Sequence, residues 1–204
     1  MLTHPFTTHL LYLHGFRSSP QSAKALQVAA RVHTAHPGVT WWCPQLPPSP
    51  QAAIDLLRQG IADWPRERMA VVGSSLGGFY ATWVAEHTGC KAVLLNPAVD
   101  PARDLAHYLG EQTGWQNPAD RFFFEPAFIH ELQALTLHNQ PPPERYWVLL
   151  AKGDEVLDWR EMAARYASAQ PTLLEGGDHA LSNFDAHMDS VFAFLNLLPG
   201  PPPK

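Results

Sequence analysis

The sequence predicts an α/β fold, with a compact, mostly parallel, doubly wound sheet of about six strands. Two observations lead there. Short apolar runs of strand length alternate along the chain with segments of helical periodicity. The runs are continuously apolar, as in parallel strands that helices cover on both faces. Strand then helix, repeated, means crossover connections and a parallel sheet.

The elements follow in order. HLLYLHG (9–15) reads as the first strand and SAKALQVAARVHT as its helix. VTWWCPQL (39–46) is the second strand, and SPQAAIDLLRQGIADW the helix after it. There Ser49 suits the N-cap and Pro50 the first helical position. Ile54, Leu57, Ile61 and Trp64 fall on one stripe, the face expected to lie on the sheet. MAVVGSS (69–75) and LGGFYATWVAEHTG form the third pair, and KAVLLNPAV (91–99) is the fourth strand. RYWVLLAKGD (145–154) precedes the helix DWREMAARYAS, and PTLLEGGDH (171–179) precedes NFDAHMDSVFAFLNLL.

Residues 100–143 break this rhythm. They are too long for a simple crossover and carry Tyr108, Trp115, Phe122, Phe123, Phe124 and Phe128. Two readings stand side by side: two packed helices with an aromatic core of their own, or a small helical lid whose aromatics line an acyl pocket. The PPP at 141–143 is a stiff re-entry into the next strand. A single domain over 1–198 is expected, with a Pro-rich tail at 199–204 that has nothing to pack against.

Composition narrows the function classes. At 204 residues the chain supports one sizeable core. A net charge of −5 argues against nucleic acid, whose phosphates need clustered Lys and Arg. No run of about 18 apolar residues is present, so no membrane span is expected. The opening MLTHPFTTHLLYLHG lacks the basic, apolar and small-residue order of a signal peptide, so a cytoplasmic setting is expected. Cys43 and Cys90 make no CxxC pair and fall in apolar surroundings, which suits packing. His33 and His36 stand three apart without nearby carboxylates, which suits an exposed face better than a metal site.

The chemistry centres on VVGSSLGG. Gly73-Ser74-Ser75-Leu76-Gly77 fits G-x-S-x-G, with an apolar strand before it and a helix after it. In that setting the central serine, Ser75, is the candidate nucleophile, held on a tight turn with its hydroxyl above the sheet. A Cβ at 73 or 77 would collide with the neighbouring strand or helix. A serine needs a base to take its proton, and the base needs an acid to orient it. His179, in the glycine turn after the sixth strand, is the candidate base; His14 and His187 are the other histidines weighed. Asp154, at the end of the fifth strand, is the candidate acid, with Asp100, Asp158 and Asp178 as rivals. The order Ser, Asp, His along the chain fits this class of site. An oxyanion hole is expected from the N–H of Leu76 and of Phe16, with Arg17 as the second candidate donor in that loop. Arg17, Tyr108, Phe124 and Phe128 are candidate substrate contacts, although an exposed, solvated arginine is the favoured reading at position 17.

The blocks LYLHGFRSSPQSAKA, VVGSSLGGFYATWVAE, LLNPAVDP, YLG and LLAKGDEVLD…EGGDHALSNF together resemble bacterial YqiA/YcfP-type esterases of the α/β-hydrolase superfamily. The resemblance covers nearly the whole chain except the proline tail and is loosest in the middle segment. It implies a compact hydrolase, esterase activity on acyl esters or thioesters, no cofactor and a cytoplasmic location. It places the family's serine, aspartate and histidine on Ser75, Asp154 and His179. The alternatives are an acyl-CoA thioesterase or acyltransferase on the same residues, and a hydrolase fold kept as a non-enzymatic scaffold. The sequence leaves oligomeric state, chain length and leaving group open.

Overall fold

The structure is a computed structural model that describes residues 5–200. Six parallel strands form one sheet: β1 (His9–Leu13), β2 (Thr40–Trp42), β3 (Met69–Ser74), β4 (Lys91–Leu95), β7 (Tyr146–Ala151) and β8 (Thr172–Leu174), in the order β2-β1-β3-β4-β7-β8. All six expected runs are strands. The order reverses between β1 and β3, which leaves a crevice above the carboxyl ends of the central strands.

The continuous apolar runs have the predicted consequence. Alternate residues of each strand point to opposite faces, and both faces are buried. Leu10, Tyr12, Ala70, Val72, Val93 and Leu95 pack beneath α1 (Ala23–Ala35) and α7 (Met188–Leu195). Leu11, Leu13, Val71, Ala92, Leu94 and Val148 face α2 (Pro50–Gly60), α3 (Leu76–Thr88) and α6 (Trp159–Arg165). In α2, Ser49 Oγ accepts the Ala52 N–H at 3.1 Å, with Pro50 in the first turn. Ile54, Leu57 and Ile61 are buried as the stripe predicts, and the helix stops at Gly60, short of Trp64.

Residues 100–143 differ from expectation. Between α4 (Pro101–Asp104) and α5 (Pro126–Leu135) lies an antiparallel hairpin, β5 (Gly110–Thr113) with β6 (Arg121–Phe124), in place of helices alone. Phe122 and Phe124 lie on one face of β6 and Phe123, 60% exposed, on the other. A run of three phenylalanines in RFFF carries no helical period, and its partner GEQT carries no strand signal, so pairing alone defines the hairpin. At the C terminus, Gly200 N–H donates to the Ala35 carbonyl at 2.9 Å. Residues 201–204 of the expected tail lie outside the described residues. Among the described residues no helix is long and apolar enough to cross a membrane.

Candidate active site

The turn between β3 and α3 is strained. Ser75 has φ 56° and ψ −123°, a left-handed region that a residue with a side chain enters at a cost of about 1–3 kcal/mol. The neighbours hold it there. Ser75 N–H donates to the Leu95 carbonyl at 3.0 Å, and the Ser75 carbonyl accepts from Gly78 N–H at 2.8 Å and Ala98 N–H at 3.0 Å. A Cβ at Gly73 would stand 2.2 Å from the Gly77 carbonyl oxygen, and one at Gly77 would stand 2.0 Å from that of Leu13. The glycines therefore let α3 start directly against β1 and β3. Ser74 remains buried as the last residue of β3.

The structure brings Ser75, His179 and Asp154 into one chain of contacts. Ser75 Oγ lies 2.9 Å from His179 Nε2, and His179 Nδ1 lies 2.8 Å from Asp154 Oδ2. The Asp154 side chain is fully enclosed, while that of His179 is 21% exposed. Asp154 Oδ1 accepts two further N–H bonds, from Val156 and Leu157, each at 2.8 Å. The carboxylate is thereby aimed by its own loop, with its other oxygen left for the imidazole. In this network Nδ1–H donates to Asp154 and Nε2 is free to accept the serine proton.

The rival acids are engaged elsewhere. Asp100 caps α4 by accepting Arg103 N–H at 3.2 Å, and Asp158 caps α6 by accepting Arg160 N–H at 2.9 Å. Asp178 accepts the Ser182 N–H at 2.9 Å and hydroxyl at 2.6 Å, bonds that hold its carboxyl below the usual range. His14 is 3% exposed; its Nδ1 donates to the Gly15 carbonyl at 3.0 Å, and its Nε2 accepts Leu46 N–H at 3.2 Å. Burial keeps its pKa low, so it ties two loops together as a neutral ring. His187 closes the short turn that leads into α7.

Asn96, at the end of β4, is a residue that sequence reasoning passed over. It is wholly buried with φ 42°. Its Nδ2 donates to the carbonyls of Asp178 at 3.0 Å and His179 at 3.1 Å, and its Oδ1 accepts Ala151 N–H at 2.8 Å. One amide thus ties the histidine loop to the strand that ends in the aspartate loop. Two more groups hold that loop: Glu155 accepts His179 N–H at 3.0 Å, and Lys24 Nζ donates to the Ala180 carbonyl. The available signal was an asparagine inside the apolar run LLNPAV, since a buried amide needs partners.

The loop after β1 lies against the serine. A Cβ on Gly15 would come within 3.2 Å of Ser75 Cβ. Phe16 packs edge-on against Tyr108, Phe122 and Phe124, with ring centroids 5.5, 5.9 and 5.2 Å away. Arg17, with φ 59°, is not the solvated arginine that the sequence favours. Its Nε donates to the Thr113 carbonyl at 2.7 Å, its guanidinium stacks 4.1 Å over Trp115, and its carbonyl accepts Trp115 N–H at 2.7 Å. A cavity of about 710 Å³ opens beside this loop, against Gly15, Phe16, Arg17 and Leu76. Ser75 and His179 are not on its wall, which approaches them through Gly15 and Leu76. Of the expected substrate contacts, Arg17 lines it, but Tyr108, Phe124 and Phe128 do not. Phe124 is 1% exposed and supports Phe16 from behind, and Phe122 supplies the aromatic wall.

Residues 9–196 match the uncharacterised protein family UPF0227. The fold is that of α/β hydrolases. An Agrobacterium vitis S4 protein, named only provisionally as a hydrolase, superposes with a TM-score of 0.73 at 17% identity, over 94% of this chain and 91% of its own. Mouse alpha/beta hydrolase domain-containing protein 10 gives 0.66 at 18%, over 93% and 91%. The esterase domain of a Rhodothermus marinus protein gives 0.66 at 18%, over 96% and 89%.

Proposed function

The chain belongs to the uncharacterised protein family UPF0227, and from that premise we propose that it is a serine hydrolase of carboxylic esters or thioesters, with Ser75, His179 and Asp154 as its triad. One observation carries the reading: two short hydrogen bonds, 2.9 and 2.8 Å, run from Ser75 through His179 to an enclosed Asp154 carboxylate. The strained turn adds support, because it lifts a hydroxyl out of the sheet at an energetic cost that folding alone would not require. That the Rhodothermus marinus relative in fold is named an esterase domain agrees with an ester as substrate.

The proposed cycle has two steps. Ser75 Oγ attacks the acyl carbonyl while its proton passes to His179 Nε2. The Asp154 carboxylate steadies the imidazolium through Nδ1–H. The N–H groups of Leu76 and Phe16 receive the oxyanion; among the described residues neither donates to another group. His179 then protonates the leaving alcohol or thiol, the carbon–heteroatom bond breaks, and an acyl-Ser75 ester remains. Water, deprotonated by the same imidazole, attacks that ester and releases the acid and the serine.

Intact mass after incubation with a small fluorophosphonate tests this directly. The wild type should gain one adduct and Ser75→Ala none, with turnover of a nitrophenyl ester reduced by about 10³ or more in the variant. A folded wild type that gains no adduct would overturn the proposal.

A further inference from the structure

The cavity beside Phe16 has the volume of a small-molecule site, about 710 Å³. Its position relative to the triad decides which half of a substrate it holds. The leaving atom must come within reach of His179 Nε2, which protonates it. The cavity touches the loop and helix that supply the oxyanion donors, Phe16 and Leu76, but not His179. It therefore lies on the acyl side of the scissile bond.

The wall carries apolar Leu46, Leu56, Leu76 and Phe122 beside polar residues such as Gln45, Asn117 and Asp120, and its arginines already hold partners. Arg17 is held by Thr113 and Trp115, and Arg121 pairs with Glu111 at 2.9 Å. His14 uses both ring nitrogens on neighbouring backbone and is neutral there. Arg17 and Arg121 each already hold a partner, and Asp120 adds a negative charge to the wall, so a carboxylate is disfavoured there.

Tyr80 supplies the missing specificity. It is 1% exposed and lies on the cavity wall, four residues beyond Leu76 on α3. Its hydroxyl makes no hydrogen bond among the described residues, whereas the buried Tyr146 donates to Glu86 at 2.7 Å and Tyr166 bonds Thr82 at 2.8 Å. No fully enclosed side-chain oxygen or nitrogen lacks a partner among the described residues. The Tyr80 hydroxyl therefore keeps some open surface, and Tyr80 is on the wall of this cavity. An unpaired, largely buried phenol on this wall favours a ligand atom that pairs with it. Four residues, about 6 Å of helical rise, separate the backbone of Tyr80 from that of Leu76.

We propose that this cavity is the acyl site, that it selects uncharged, mainly apolar acyl groups carrying a hydrogen-bonding oxygen beyond the carbonyl, and that the Tyr80 hydroxyl reads that oxygen. The inference rests on the serine-hydrolase reading above.

The test is a set of nitrophenyl esters of one chain length: the octanoyl ester, its ether and keto analogues with oxygen at successive positions beyond the third carbon, and a chain ending in carboxylate. Wild type should show a maximum in kcat/KM at one oxygen position, about fivefold or more above its neighbours, and the carboxylate ester should be the poorest. In Tyr80→Phe the maximum should vanish. A flat profile in the wild type, or a maximum that persists in Tyr80→Phe, would overturn the inference. Fluorophosphonate labelling of Ser75 in both proteins separates the two levels. Absent labelling of folded wild type sinks the hydrolase reading itself, whereas a labelled enzyme with a flat profile sinks only the acyl-site proposal. A melting temperature of Tyr80→Phe within a few degrees of wild type establishes that the variant is folded.

Discussion

At the scale of single residues, Ser75 and Asn96 show opposite uses of an unfavourable backbone. Ser75 sits at φ 56° and Asn96 at φ 42°, and both are fixed by hydrogen bonds to neighbouring strands. Asparagine tolerates that region better than serine does. Ser75→Gly should therefore be more stable than Ser75→Ala by about 1 kcal/mol or more in urea denaturation, both being inactive. Equal stabilities would mean that the turn stores no strain. For Asn96, removal of the amide frees the Asp178 and His179 carbonyls and strands the Ala151 N–H. Asn96→Ala should lose about 1–3 kcal/mol of stability. It should also lower kcat/KM about 10–100-fold in the folded protein, because the imidazole is no longer fixed within tenths of an ångström of the serine. A lower melting temperature with an unchanged rate of fluorophosphonate labelling would reduce Asn96 to a structural residue. The serine, histidine and aspartate could be read from chain order and local glycines. Asn96 could not, since its partners lie more than 50 residues away, at 151, 178 and 179.

At the scale of elements, the β5–β6 hairpin is fastened to the loop that carries Phe16. Arg17 grips Thr113 and Trp115, and Trp115 N–H returns a bond to the Arg17 carbonyl. The hairpin also presents Phe122 to the cavity and Phe124 to the back of Phe16. An element inserted between α4 and α5 thus braces the proposed oxyanion donor. Arg17→Met should reduce kcat about tenfold or more while leaving the melting temperature within a few degrees, because the sheet core lies elsewhere. Trp115→Ala should act in the same direction, more weakly. If Arg17→Met raised KM for anionic esters alone and left kcat intact, the arginine would be a substrate contact instead of a brace. The six strands and most helices were legible as periodicities. The hairpin was not, because two four-residue strands, one polar and one aromatic, acquire their identity only by pairing.

At the scale of the whole molecule, a sheet buried on both faces presents its loops at one edge, and the site is assembled from the ends of β1, β3, β4, β7 and β8. Lys24 of α1 reaches that edge, donating to the Ala180 carbonyl beside His179. Burial lowers its pKa from 10.5 to about 8, against the opposing pull of Asp178 and Asp154. Below about pH 8 both folded and unfolded chains carry the proton, and burying the cation costs stability. Between about 8 and 10.5 the folded chain gives up a proton that the unfolded chain keeps, so stability rises with pH. Wild type minus Lys24→Met, compared by urea denaturation at several pH values, should therefore rise across that window; parallel curves would contradict it. The sequence by itself determined the parallel α/β architecture, the glycine-flanked serine turn and the chain order Ser75, Asp154, His179. Those depend on residue spacing, strand length and the absence of Cβ atoms, all local in the chain. Only the tertiary structure showed that Asp154, and not Asp100, Asp158 or Asp178, meets His179, tied Asn96 to the histidine loop, and put Tyr80 and Phe122 on the cavity wall where Phe124 and Phe128 are absent. Those outcomes turn on which way each side chain points once distant segments pack together, and no local period encodes that direction.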